Sequence, residues 1–205
     1  MLSSPRSHAL EVRVKRIVCA VFAGLTALPV TLLAQQASQA APAAPPANPI
    51  TMSEKGLYGF MSGAVVRAAE KMPEENYGFK PTPEVRSFGQ LIGHEADANF
   101  MFCALAAGEE NPSKGIEKSK TSKADLVAAL KDAVAYCNKA FDGMTDAKGA
   151  EMVKIFGTMN IARLTVFSLN TAHTDEHYGN IVTYMRLKGI VPPTSEAQPA
   201  PPAKK

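Results

Sequence analysis

Residues 86–108 read RSFGQLIGHEADANFMFCALAAG, and this stretch decides the fold. Ser87 and Gln90 stand three apart, the spacing of a capping box in which each side chain satisfies the other's free backbone N–H. Leu91, His94, Ala98, Met101 and Leu105 then recur at steps of three and four, the period of one helix face. Gly108 is placed to stop the helix. The pattern predicts a helix from about Ser87 to Ala107 with a histidine on its inward stripe.

Three more segments carry the same period. The first runs from about Ser53 to Met72, with Leu57, Phe60, Met61, Ala64, Val65 and Ala68 on its stripe and Pro73 ending it. Another begins after Thr121 or Ser122, has Leu126, Leu130, Ala133, Cys137 and Phe141 on one face, and ends near Gly143. The last covers roughly Asn160 to Lys188, with Val166, Asn170, His173, His177, Ile181 and Tyr184 on one face. Gly189 then serves as a C-terminal cap, and Pro192 and Pro193 forbid continuation. No long alternating run of Val, Ile and Thr is present, nor an Asn-Gly or Asp-Gly turn, so strands are not expected. The fold class that follows is all-α, a four-helix bundle. Two polar connections, residues 74–86 and 108–121, are long enough for a topology other than up-down-up-down.

The termini read differently. Arg6, Arg13, Lys15 and Arg16 precede an apolar run from Ile17 to Ala34, and small residues follow. This order is that of an export signal, residues 1–40, with cleavage near 34–40, and Ser38-Gln39-Ala40 fits the small-x-small rule. Residues 41–50 continue an uncharged Ala/Pro-rich linker, residues 51–193 form the domain, and 194–205 are a disordered Pro-rich tail. The expected location is therefore periplasmic or extracellular, with no membrane attachment after cleavage; the alternative is an uncleaved membrane anchor, since the apolar run is close to the ~18-residue length that spans a bilayer.

Removing the four basic and one acidic residue of 1–40 from totals of 22 and 19 leaves 18 of each, so the net charge of +3 belongs to the N-terminus. With no basic stripe to neutralise phosphates, nucleic-acid binding is not expected. Cys103 and Cys137 remain after Cys19 leaves with the signal, and an even count in an oxidising compartment permits a disulfide. Its geometry is not obvious, because Cys103 is nine residues from His94 and faces nearly the opposite way on an ideal helix.

The histidines are the most informative residues. His8 lies in the signal. The other three, His94, His173 and His177, all fall on inward stripes. His173 and His177 are four apart and stack on one side of a helix, where both imidazoles can reach one ion. His94, from a facing helix, supplies a third ligand, a common construction in bundle cores. Residues 173–177 also read His-x-x-Glu-His, the inverted zincin pattern, but only Glu196 lies downstream as a further acidic ligand, which argues against a protease. Asp97 or Asp175 can orient a histidine as hydrogen-bond acceptor. Glu176 points about 100° away from His177. Glu95 has no special claim. Tyr178, Tyr184 and the methionines, among them Met101, Met159 and Met185, read as packing residues.

The segment RSFGQLIGHEADANFMFCAL, with His94-x-x-Asp97, resembles the DinB-like (YfiT-like) helical-bundle proteins. HTDEHYGNIVTYMRLKGIVPP (173–193) and AAEKMPEENYGFKPTPEVRS (68–87) are similar as well, in the same order. The resemblance covers about residues 51–193. It implies that His94, His173 and His177 bind a divalent metal, and it admits a homodimer. Where the family often has Gln after the glycine of the last helix, this chain has Asn180. Family members of known chemistry are mainly cytosolic thiol-dependent transferases and an isomerase using mycothiol, bacillithiol or glutathione, thiols that an exported chain does not meet at cytosolic levels.

The expectation is thus an exported DinB-like protein with a three-histidine divalent-metal site, Zn²⁺ first and Ni²⁺ or Fe²⁺ as alternatives. It is expected to act as a metal-dependent hydrolase or transferase on a small molecule, with Glu176 and Asp97 as catalytic candidates. The alternative is a non-catalytic metal-binding or stress-related binding module.

Overall fold

The structure, a computed structural model, describes residues 46–197. The expected export signal, the first half of the linker and the end of the tail lie outside them. Four long helices carry the fold: α1 (Pro49–Lys71), α2 (Phe88–Ala107), α4 (Lys123–Asp142) and α6 (Arg163–Leu187). Single-turn helices α3 (Ile116–Ser119) and α5 (Asp146–Gly149) interrupt the connections. α1 packs on α6 and α4, and α2 packs on α6 and α4. Helices consecutive in sequence, α1 and α2, therefore sit diagonally, which is what their long connection permits.

Local chemistry sets the helix ends. Ser87 accepts from the Gln90 N–H while the Gln90 side chain accepts from the Ser87 N–H, completing the capping box on α2. Gly108 closes α2 with φ 78°. Ser122 caps α4 by accepting from the Asp125 N–H. The α4 stripe of Leu126, Leu130, Ala133, Cys137 and Phe141 is buried throughout.

Several expectations need correction. α1 starts at Pro49, so the linker ends before residue 50; proline is pre-set for a first helical turn. On α1, Leu57 and Phe60 face solvent and Tyr58 is buried instead, its hydroxyl donating to Asn99 Oδ1 at 2.7 Å. The last helix starts at Arg163, not near Asn160. The preceding residues form an antiparallel hairpin, β1 (Met152–Ile155) and β2 (Met159–Ala162), in register from Met152↔Ala162 to Ile155↔Met159. Met159, read as core filling, is exposed there. At the other end the docked chain reaches beyond 193. Residues Pro193–Ser195 form a 3-10 turn, Thr194 hydrogen-bonds the Tyr178 hydroxyl, and Lys71 pairs with Glu196.

Cys103 of α2 and Cys137 of α4 are disulfide-bonded, with Cα atoms 5.2 Å apart. The apparent conflict with His94 dissolves because α2 is covered on more than one side: thirteen of its residues are buried, and it lies against both α4 and α6.

Candidate metal centre

α2 and α6 bring His94, His173 and His177 together. Ring centroids are 4.4 Å apart for His173 and His177, 4.8 Å for His94 and His177, and 5.0 Å for His94 and His173. One ring nitrogen from each lies within 4.8 Å of the others. His94 and His173 are part-buried and His177 is buried.

Each of the two part-buried rings turns its Nδ1 towards a carboxyl group. His94 Nδ1–H donates to Glu117 Oε2 at 3.1 Å, and the other oxygen of Glu117 accepts from Arg86 Nε at 2.9 Å. His173 Nδ1 stands 3.2 Å from Glu95 Oε1, close enough for an ion pair although not aligned for a hydrogen bond. The Glu117 bond assigns the proton of His94 to Nδ1 and leaves its Nε2 as a lone-pair donor aimed at the Nε2 of His173. Those two Nε2 atoms are 3.1 Å apart. The spacing is close to the edge of about 3.3 Å that a tetrahedral site with Zn–N bonds of about 2.0–2.1 Å requires. His177 Nδ1 is 3.5 Å from the Asn180 amide, a weaker contact.

The donor set fits a divalent cation on a second count. Glu95 is fully buried, and neither of its side-chain oxygens has a hydrogen-bond partner. A buried carboxyl without partners is costly unless positive charge lies nearby. A cation held by the histidines supplies it. Burial lowers the pKa of His94, reinforced by Arg86 and His173 and opposed by Glu117. Burial is also the main cause lowering that of His177. Both shifts keep the imidazoles in the neutral, ligating form.

Asp97 does not touch a histidine. It accepts the N–H groups of Ile116 at 2.8 Å and Glu117 at 2.9 Å, together with the Ser113 hydroxyl. Asp97 therefore holds α3 in place, and α3 presents Glu117 to His94. Glu176 is exposed on α6, and Asp175 is exposed as well. Neither joins the cluster: Glu176 is one step, about 100°, from His177, and Asp175 is two steps, about 200°, from both His173 and His177. Sequence reasoning passed over the two carboxyl groups that do face the site, Glu95 and Glu117. Glu117 sits in a polar connection with no periodic signal. Glu95 neighbours His94 in sequence, yet it faces a histidine on another helix.

A cavity of about 400 Å³ opens beside the cluster, lined by His94, His173, Ala98, Met101 and Phe102, with Asn111 and Ser113 among its polar residues.

A helical bundle with an inward three-histidine cluster from two facing helices defines a class of protein able to hold a divalent metal. Within that class, this chain belongs to the DinB superfamily, whose family model matches residues 61–181. Its fold is similar to that of a DinB-like protein from Bacillus cereus, with TM-score 0.62 and 13% identity over 69% of this chain and 95% of that one. A DinB-like protein from Bacillus subtilis is similar with TM-score 0.57 and 17% identity, over 67% and 92% of the two chains. A mycothiol-dependent maleylpyruvate isomerase shares the fold with TM-score 0.54 and 15% identity; the similarity covers 64% of this chain and 60% of that larger protein. No curated protein matches the chain by sequence.

Proposed function

We propose that this chain is an exported metalloprotein in which His94, His173 and His177 bind one divalent ion, Zn²⁺ first and Ni²⁺ or Fe²⁺ as alternatives, and act on a small molecule as a hydrolase or transferase. The observation that carries the reading is the Nε2–Nε2 approach of His94 and His173, with both Nδ1 atoms turned to carboxyl groups. Two lone pairs aimed at each other across 3.1 Å repel unless a proton or a metal ion lies between them.

When bound, the ion supplies Lewis acidity and lowers the pKa of a coordinated water or thiol. Glu117 fixes the tautomer and aim of His94, and Glu95 lies 3.2 Å from the Nδ1 of His173. Three protein ligands are the number found in catalytic rather than structural zinc sites. The similarity to a mycothiol-dependent isomerase makes thiol chemistry a relevant comparison, but an exported chain favours another substrate. Export is supported by the basic, apolar, small-residue order of residues 1–40. The buried Cys103–Cys137 disulfide also supports it, since such bonds persist in oxidising compartments.

A second reading, a non-catalytic metal-binding module, is favoured by one observation. Neither catalytic candidate is placed for proton transfer, since the Asp97 oxygens are engaged by the α3 turn and Glu176 faces solvent. The visible spectrum of Co²⁺-loaded protein separates the two. An open, reactive centre changes its spectrum when millimolar azide or a small thiol is added. A spectrum indifferent to both supports the binding module.

A further inference from the structure

Phe102 links the histidine cluster to the tip of the hairpin. Its ring centroid lies 5.7 Å from that of His173 and 6.2 Å, edge-on, from that of Phe156. Phe102 also lines the cavity beside the histidines, next to Ala98 and Met101. Together these residues form an apolar wall that starts at the metal centre and runs outward.

Phe156 is unusual in two respects. Its φ is +48°, a left-handed conformation that bulky side chains avoid at a cost of about 1–3 kcal/mol. Gly157 follows with φ +75°, so the turn needs two consecutive positive φ values, and Asn, Asp or Gly would satisfy it with less strain. The Phe156 ring is also 56% exposed, so core packing does not account for a phenylalanine there. A strained, solvated aromatic ring packed edge-on against Phe102, which itself lines the metal-site cavity, stands at the outer end of that wall, where it can close over a bound ligand.

We propose, on the basis of the metal-binding reading above, that the cavity takes a small molecule with a metal-ligating oxygen or sulfur head and a flat apolar body of about one ring. The body rests on Phe102 and is covered by Phe156, which sets specificity. A volume of about 400 Å³ lies within the range of small-molecule sites. Asn111 and Ser113 add polar edges for a substituent on the ring.

The test uses Co²⁺-loaded protein and two probes with one head group, acetohydroxamate and benzohydroxamate, titrated by visible spectroscopy. Benzohydroxamate is expected to bind about tenfold more tightly, the gain from burying a ring against aromatic neighbours. Phe156→Gly, which relieves the backbone strain and so keeps the fold, should reduce that preference to about twofold while leaving acetohydroxamate binding unchanged. Phe156→Trp should retain the preference. Equal affinity of the two probes in the unmodified protein overturns the proposal while the metal site stands. A tenfold preference that survives Phe156→Gly overturns the role of Phe156. Failure of Co²⁺ to bind at all contradicts the metal reading itself and takes this inference with it.

Discussion

Gly93 and Glu117 meet with no side chain between them: a Cβ placed on Gly93 would lie 2.7 Å from the Glu117 Cα and 3.0 Å from its nitrogen. The approach lets the α3 turn press against α2 one residue before His94, so that Glu117 reaches the imidazole. Gly93→Ala gains about 1 kcal/mol in helix propensity. The clash is with backbone, which cannot swing aside, and costs about 1–3 kcal/mol. The net expectation is a small loss of stability together with about tenfold weaker metal binding, because Glu117 is displaced. Isothermal titration of the metal-free variant with Zn²⁺ checks this, and unchanged affinity would mean that α3 does not position the site.

The two carboxyl groups should act alike. Glu117→Gln and Glu95→Gln each replace a carboxyl group beside a histidine Nδ1 by an amide of the same size. Each is expected to weaken metal affinity about 10–100-fold while stoichiometry at saturation stays the same. Glu176→Gln, on the exposed face of α6, is the control and should leave affinity unchanged. Equal affinities across all three variants would show that the carboxyl groups do not support the ligands.

The metal-free protein should be sensitive to acid in a defined direction. Burial depresses the folded-state pKa of His94 and His177 below the ordinary 6.5. The unfolded chain therefore takes up protons before the folded one. Stability is undiminished above about pH 7.5, declines as pH falls through 6.5, and continues to decline until the depressed folded values are passed. Urea midpoints of metal-free protein between pH 8 and pH 5 should show this slope. His94→Gln and His177→Gln should flatten it, and an unchanged slope in both variants would assign the acid sensitivity elsewhere.

Much of this architecture was legible in the residues. Ser87 and Gln90 announced the start of α2, and the α4 stripe was read without error, because caps and amphipathic periods are local signals. The three histidines were legible for the same reason, since inward stripes on packed helices converge. The hairpin was not. Its strands have four residues each, and its turn carries Phe156-Gly157 where Asn-Gly would have been recognised. Glu95 and Glu117 were missed because their roles depend on which helix packs opposite. Glu95 lies beside His94 in the chain but serves His173, and Glu117 reaches His94 only because Asp97 holds α3. Tertiary pairings of that kind leave no trace in spacing.

The Cys103–Cys137 bond closes a loop with a sequence separation of 34 and has both residues fully buried. The loop-entropy account gives about 3–4 kcal/mol of stabilisation for a loop of that size. The double variant Cys103→Ala/Cys137→Ala should lose about that much in urea unfolding at neutral pH. A loss below about 1 kcal/mol would indicate that the unmodified protein does not carry the bond.

The central claim, that His94, His173 and His177 hold one divalent ion, is met most directly by elemental analysis of untagged protein purified without chelator. The account predicts about one zinc, nickel or iron per chain. In each of His94→Ala, His173→Ala and His177→Ala, occupancy should fall to a small fraction of that value after dialysis. Full occupancy retained in all three variants, or an unmodified protein that takes up no divalent metal when it is supplied in excess, would contradict it.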